Sequence, residues 1–203
     1  MILTNASPAA VRYACTHFHY SGRTPLVQYG YNIYNDDGQW CGTVCFGAGA
    51  TPHLGTPYGL RHGEALELVR VALNGQQAAT SQCVAGALRR LHQENPLVRL
   101  VVSYADVDQG HTGTIYQATN WIYEGLKNKG ERGAFIVHGE RLHPKTVHSR
   151  GWRQSLPWLQ EHIDPNAEMI RTRGKHKYIY CFDKKLRKRL QRTARPYPKK
   201  GSE

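Results

Sequence analysis

The sequence predicts an α/β (α+β) fold, a mixed central sheet flanked by helices. Three observations carry that expectation: two β-rich runs meet at an Asp-Gly turn, two strand-then-helix units follow them, and one run is apolar on both faces.

The elements follow in order. Residues 26–34 (LVQYGYNIY) and 40–46 (WCGTVCF) flank Asn35-Asp36-Asp37-Gly38, the strongest short-range hairpin signal. The stretch 66–73 (LELVRVAL) reads as the next strand and ends at Asn74-Gly75. Thr80-Ser81 then opens a helix in which Val84, Leu88 and Leu91 recur at i, i+4 and i+7. Arg89, Arg90 and His92 lie near its C-terminal end, where the dipole favours cations, and Pro96 stops it. The β-branched run 97–102 (LVRLVV) is expected to be the central strand, covered on both faces. A second helix is expected from about Thr114 to Tyr123, with Ile115, Ala118 and Ile122 inward and Gly125 as its stop. Residues 134–138 and 177–182 offer two more strands. The stretch 139–176 lacks clear period and reads as a functional loop region with a short helix near Pro157–Glu161. Leu186 and Leu190, four apart among basic residues, predict a short basic helix within Lys184–Arg195, followed by a Pro-containing tail.

The 203 residues and 40% hydrophobic content suit a folded body plus a tail, and no run approaches the ~18 apolar residues of a membrane span. The formal net charge of +12 is unevenly placed. Residues 1–170 carry 14 Lys and Arg against 13 Asp and Glu, whereas 171–203 carry 13 against 2. A near-neutral body with a basic end is the footprint expected of a polyanion binder; a solvated basic tail is the plainer alternative. Cys15, Cys41, Cys45, Cys83 and Cys181 are odd in number, include no CxxC pair and follow no signal-peptide pattern, so a reducing cytoplasm is expected. Cys41 and Cys45 share a strand face but stand roughly 13 Å apart, which makes them core fillers rather than metal ligands.

Several residues are candidates for chemistry. The turn Asn74–Ser81 feeds a helix N-terminus, where backbone N–H groups can converge on a phosphate or pyrophosphate; an ordinary cap by Thr80 or Ser81 is the alternative. Arg70 sits in an apolar strand and needs a carboxylate partner or an anionic ligand. Asp106 follows the central strand at its carboxyl end, where sites in such sheets collect. Tyr116, Asn120 and Tyr123, with Trp121 beside them, would share one helix face as either core or substrate wall. His17 and His19 form an HxH pair that, on a strand, invites a metal with Asp106 as third ligand; proton transfer by His19 or Tyr20 is the preferred reading. Arg171-Thr-Arg-Gly-Lys-His-Lys-Tyr-Ile-Tyr interleaves bases with aromatics, so Arg171, Arg173, Lys175 and Lys177 are candidate nucleic-acid contacts, together with Lys184, Lys185, Arg187 and Lys188.

Tyr13–Arg23, Glu67-Leu-Val-Arg70, Ser103-Tyr-Ala-Asp106, the block Gly110–Tyr123 and Lys175–Arg189 together resemble the Mom DNA-modification proteins of bacteriophage Mu and related phages. That family is similar in turn to the GNAT N-acyltransferase fold. The resemblance implies a catalytic domain over 1–183 and a basic helix or tail over 184–203. It implies conversion of adenine N6 in double-stranded phage DNA to a methylcarbamoyl (acetamido-type) adenine, protecting against host restriction, within the host cytoplasm. It assigns catalytic roles to His19, Tyr20, Arg70, Asp106 and Tyr116. An acetyl-CoA or related acyl-CoA would lie along Val71 and Leu73 with its pyrophosphate at Ala79, Thr80 and Ser81, and the flipped base would meet Asn120, Trp121 and Tyr123. The turn Gln76-Gln77-Ala78-Ala79 lacks the glycines of typical acyltransferases. Acetyl transfer by itself does not give a methylcarbamoyl group, so a further donor or redox step is implied, and the family leaves room for iron. The oligomeric state stays open, a homodimer being one option. A conventional N-acetyltransferase of tRNA or protein, and a non-enzymatic DNA-binding module, are the alternatives.

Overall fold

A computed structural model describes residues 1–199, the Arg132 side chain excepted; the last four residues of the expected tail lie outside them. The chain forms two compact units, one of Met1–Tyr104, Gly113–Glu124 and the residues from Lys177 on, the other of Ala105–Thr112 and Gly125–His176.

The first unit is built on a seven-stranded sheet of order β1-β2-β3-β4-β5-β10-β6, three of whose strands run on into the second unit. Strands β1 (Ile2–Asn5), β2 (Tyr29–Tyr34) and β3 (Trp40–Gly47) precede β4 (Ala65–Leu73) and β5 (Leu100–Asp106); β6 is Ile122–Lys127 and β10 Lys175–Cys181. The hairpin forms as expected, Asn32 opposite Thr43. Helix α1 (Pro8–His17) starts where the Ser7 Oγ accepts from the Ala10 N–H at 3.2 Å and Pro8 fixes the first turn. Its Val11, Ala14 and Cys15 bury against Cys45 and Ala72. Helix α2 (Thr80–Glu94) buries Cys83, Val84, Ala87, Leu88 and Leu91, the expected stripe. Helix α6 (Lys184–Gln191) is capped by Asp183, whose side chain accepts from the Leu186 N–H at 2.9 Å, and it sets Leu186 against Leu100, Val102 and Ile179.

Three local expectations are corrected. The central strand begins at Leu100, not Leu97, because Pro96–Arg99 is spent on a turn closed by Val98 N–H to the Asn95 carbonyl, which leaves Leu97 79% exposed. The helix expected over 114–123 is only α3 (Thr114–Gln117). Asn120 enters the left-handed region (φ 59°), and Trp121-Ile122-Tyr123 turn into β6 beside β10, where β-formers find a ladder a helix cannot offer. Tyr116, Asn120 and Tyr123 therefore share no helix face. His17 ends α1 and His19 lies in the turn after it, so the HxH pair is not on a strand.

The second unit contains a three-stranded antiparallel sheet, β8-β7-β9, of β7 (Arg132–Val137), β8 (Glu140–Leu142) and β9 (Glu168–Arg171). Helices α4 (Pro144–Ser149) and α5 (Leu156–His162) close a separate core of Phe135, Val137, Leu142, Val147, Leu159 and Ala167. The stretch expected to be irregular is thus folded. Its elements, three to seven residues long, are too short for a readable period.

Candidate active site

The sheet opens at β4. Its parallel ladder with β5 runs only from Ala65–Leu100 to Glu67–Val102, although β4 continues to Leu73. On its other side β4 stays paired to β3 as far as Leu73, with a bulge at Val69. From Leu68 to Leu73, then, β4 has one side without a strand ladder, in the middle of a sheet. Val71 and Leu73 lie on that segment. Downstream, α2 starts at Thr80 after the N-cap Ala79, and among the described residues no side chain caps its first N–H groups; Thr80 and Ser81 are its first two residues.

At the mouth of the opening, the Ser103 Oγ lies 3.1 Å from the Leu68 carbonyl oxygen and 2.8 Å from the Tyr116 hydroxyl. One hydroxyl hydrogen serves one acceptor at a time. When Ser103 donates to Leu68, Tyr116 donates to Ser103; when Ser103 donates to Tyr116, the phenol hydrogen is released for another acceptor. Burial pushes the Tyr116 phenol up to about 12, against the Ser103 hydrogen bond, with the charges of Tyr20 and Glu67 adding to the rise. Tyr20 is 59% exposed, with its ring 4.2 Å from that of His19. The His19 Nδ1 accepts from the Ser21 N–H at 3.1 Å, which puts the imidazole hydrogen on Nε2.

Arg70 donates to the carbonyls of Val69 (2.8 Å) and Arg23 (3.4 Å) and, among the described residues, has no carboxylate partner. Its charge is felt at Cys15, whose thiol is lowered to about 7, first by the hydrogen bond with Cys45 and then by Arg70 against the opposing cost of burial. The structural ion pair open from sequence is not formed among the described residues; two main-chain carbonyls take the guanidinium instead.

The wall behind Tyr116 is aromatic. Its ring lies 5.0 Å from Trp121 and 5.1 Å from Tyr178, and Tyr123 is 5.1 Å from Tyr178. Trp121 and Tyr123 are 1% and 7% exposed, so they brace the wall rather than offer a free ring face. The Trp121 Nε1 is the buried side-chain donor that has no partner among the described residues. Asn120 is exposed, and its carbonyl accepts from the Arg187 Nη2 at 2.7 Å. Tyr178, one of the aromatics interleaved with the basic residues, is fully buried, and Ser103 and Tyr197 are not among the site residues expected from sequence. Their partners are 13 to 76 positions away, and no local pattern announces them.

In the second unit Asp106 ends β5. Its Oδ1 accepts from the Asp108 N–H at 3.0 Å and its Oδ2 lies 3.5 Å from the Lys175 Nζ. Arg173 pairs with Asp108 at 3.5 Å, and Arg171 donates to the Gly130 carbonyl at 2.7 Å. Hydrogen bonds from Thr172 and Arg173 outweigh burial and hold the Asp108 carboxyl below its usual range. In the first unit Lys177 pairs with Glu124 at 3.0 Å. These four expected nucleic-acid contacts all have partners within the protein. Lys184, Lys185 and Lys188 are exposed on α6. No group of three or more His, Cys, Asp or Glu able to hold a metal occurs among the described residues, so the side chains do not fit the iron that the resemblance left room for.

The Mom protein family model matches residues 1–199. The methylcarbamoylase mom of Escherichia phage Mu is 28% identical over 143 residues, covering 66% of this chain. The chain aligns with 56% of that relative's length. Among solved structures, a spermidine N-acetyltransferase of Vibrio cholerae superposes with a TM-score of 0.50 at 8% identity, over 95% of this chain and 99% of that one. An acetyltransferase candidate of Acinetobacter baylyi also gives 0.50, at 11% identity over 90% and 92%. The mixed sheet with flanking helices is the GNAT acetyltransferase arrangement.

Proposed function

The chain belongs to the Mom protein family, and on that premise we propose that it modifies DNA, converting the N6 amino group of adenine to a methylcarbamoyl adenine that shields the DNA from restriction. The match of residues 1–199 to the family carries this reading. The open side of β4 and the uncapped start of α2 support it.

Those two features fit an acyl-CoA. The main-chain groups of Leu68–Leu73 that lack a strand partner suit the amides of a pantetheine arm, and the first N–H groups of α2, at Ala79–Ser81, suit a pyrophosphate. When bound, such a group would supply an activated acyl carbon, and the nitrogen of the methylcarbamoyl product would come from a further donor. This chain's own residues position the base and handle its proton. Adenine N6 is a weak nucleophile because its lone pair is delocalised into the ring, and a duplex hides it, so the base must leave the stack. The exposed Tyr20 ring is the face on which it can rest. Bond formation at N6 replaces one amino hydrogen, and that proton needs an acceptor. We assign it to the carboxylate of Asp106, the last residue of β5. The His19 Nε2–H and the Tyr116 hydroxyl donate to developing charge, and Arg70 holds an anionic group.

The test is mass spectrometry of nucleosides from plasmid DNA of cells expressing the protein. A deoxyadenosine heavier by one methylcarbamoyl group, absent without the protein, is the expected result. Unmodified DNA beside abundant folded protein would overturn it, and acetylated tRNA or protein in its place would identify a conventional acetyltransferase.

A further inference from the structure

Helix α6 reads KKLRKRLQ, and its basic side chains divide between two jobs. Leu186 is buried and Leu190 packs on the same cluster, which fixes the inward face. Arg187 donates to the Asn120 carbonyl, and Arg189 to that of Tyr58. Beyond the helix, the Arg195 N–H donates to the Tyr123 carbonyl at 2.9 Å and the Tyr197 hydroxyl to the Trp121 carbonyl at 2.6 Å. Three of the four carbonyls of the Asn120–Tyr123 segment are therefore held by donors from one C-terminal stretch.

Lys184, Lys188 and Arg192 take no part in this. They recur every four residues on an exposed ridge, lining a shallow groove with Arg187 and Gln191, and none has an acidic partner among the described residues. The ridge sets three charges over about 12 Å of helix at 1.5 Å per residue. One DNA strand presents a phosphate about every 3.4 Å of axis over that distance. A lipid surface suits the helix poorly, because interfacial helices bury an apolar face and the apolar face of α6 is already taken by the core.

We propose that α6 is the strand-docking helix of this protein. Lys184, Lys188 and Arg192 take the backbone phosphates of duplex DNA, and the Arg187, Arg195 and Tyr197 contacts fix the Trp121 wall relative to the docked strand. The proposal rests on the DNA reading above and adds to it a division of labour. Arg187, counted from sequence among the phosphate contacts, is a positioning residue.

The experiment measures binding of a labelled DNA duplex by fluorescence anisotropy at several salt concentrations, with the full chain and without any modification step. The triple variant Lys184→Gln, Lys188→Gln, Arg192→Gln is expected to keep its melting temperature while the log K against log salt slope becomes shallower by about 2.7, at ~0.9 per lost phosphate contact. An unchanged slope overturns the docking surface. So does a loss of binding confined to anionic phosphatidylserine vesicles or to duplex RNA. Tyr197→Phe is expected to keep DNA affinity and KM and lower kcat at least tenfold; a fall in stability with kcat intact makes its contact merely structural and overturns the positioning role. A shallower slope in a protein that never modifies DNA would leave docking standing and the enzymatic reading refuted.

Discussion

The Ser103 hydroxyl reaches the Leu68 carbonyl one residue past the last rung of the parallel ladder, where Glu67 faces Val102. A side chain thus takes the place of the next backbone contact. Ser103→Ala is expected to cost about 1–3 kcal/mol in urea unfolding, the range for stranding a buried acceptor. It also removes the hydrogen bond that holds the Tyr116 phenol down, so that pKa rises further. A variant as stable as the parent, with the Tyr116 titration unmoved, would show that this bridge holds nothing.

Tyr116→Phe keeps the ring against Trp121 and Tyr178 and deletes one hydroxyl. The expected outcome is a melting temperature within a few degrees of the parent and nucleoside modification lowered at least a hundredfold, the scale of one lost donor to developing charge. Full modification by Tyr116→Phe would remove the phenol from the chemistry.

Asp106→Asn retains an oxygen for the Asp108 N–H and gives up the Lys175 attraction. A partly exposed pair of this kind contributes about 0–1 kcal/mol. Stability should therefore hardly change while modified deoxyadenosine disappears, as read by mass spectrometry beside a thermal melt. A well-folded Asp106→Asn protein with normal product excludes the carboxylate as the N6 proton acceptor.

Ser81→Asp separates cofactor binding from folding by pushing them in opposite directions. A carboxylate in the first turn of α2 favours the helix by about 0.3–1 kcal/mol. The same charge repels a pyrophosphate. The melting temperature without ligand should rise and the coenzyme A affinity measured by calorimetry should drop at least tenfold; equal affinity would place the pyrophosphate elsewhere.

Alkali supplies a test of the buried phenols. Burial raises Tyr104, Tyr116 and Tyr178 to about 12, and with Glu94 or Glu124 accepting from their hydroxyls it raises Tyr31 and Tyr58 further. An unfolded tyrosine ionises near pH 10. Native phenols that stay neutral there leave stability complete below pH 10 and progressively lost above it. Absorbance at 295 nm should show these five ionising only as the circular dichroism collapses. Smooth ionisation of all twelve tyrosines near pH 10 with the fold intact would contradict the burial.

Local signals made part of this molecule readable. The Asp-Gly hairpin and the apolar stripe of α2 depend on neighbours in sequence, and both were read from it. Ser7-Pro8 before Val11, Ala14 and Cys15 marks α1 in the same way, a start signal that was overlooked. The end of α3 was not legible, because the strand character of Trp121–Tyr123 is decided by β10, some 55 residues on. The same holds for the site. Arg70, Tyr116 and Asp106 stand out by residue type and position, whereas their hydrogen-bond partners and the second core around Phe135 arise only when distant segments meet. The seven basic residues of α6 and its flanks looked alike in sequence; burial of Leu186 is what sorts them into anchors and an exposed ridge.

If the open side of Leu68–Leu73 holds the pantetheine arm proposed above, the main chain does the recognising there, by shape and amide spacing. Substitution can then proceed at the strand's other positions so long as the bulge, the gap, Arg70 and the buried Leu68 and Ala72 persist. Architectures of this kind drift far in sequence and keep one outline, which is how a chain 8% identical to a spermidine acetyltransferase still overlays it. A search keyed to residue letters will pass over such relatives, and one keyed to an interrupted ladder will find them.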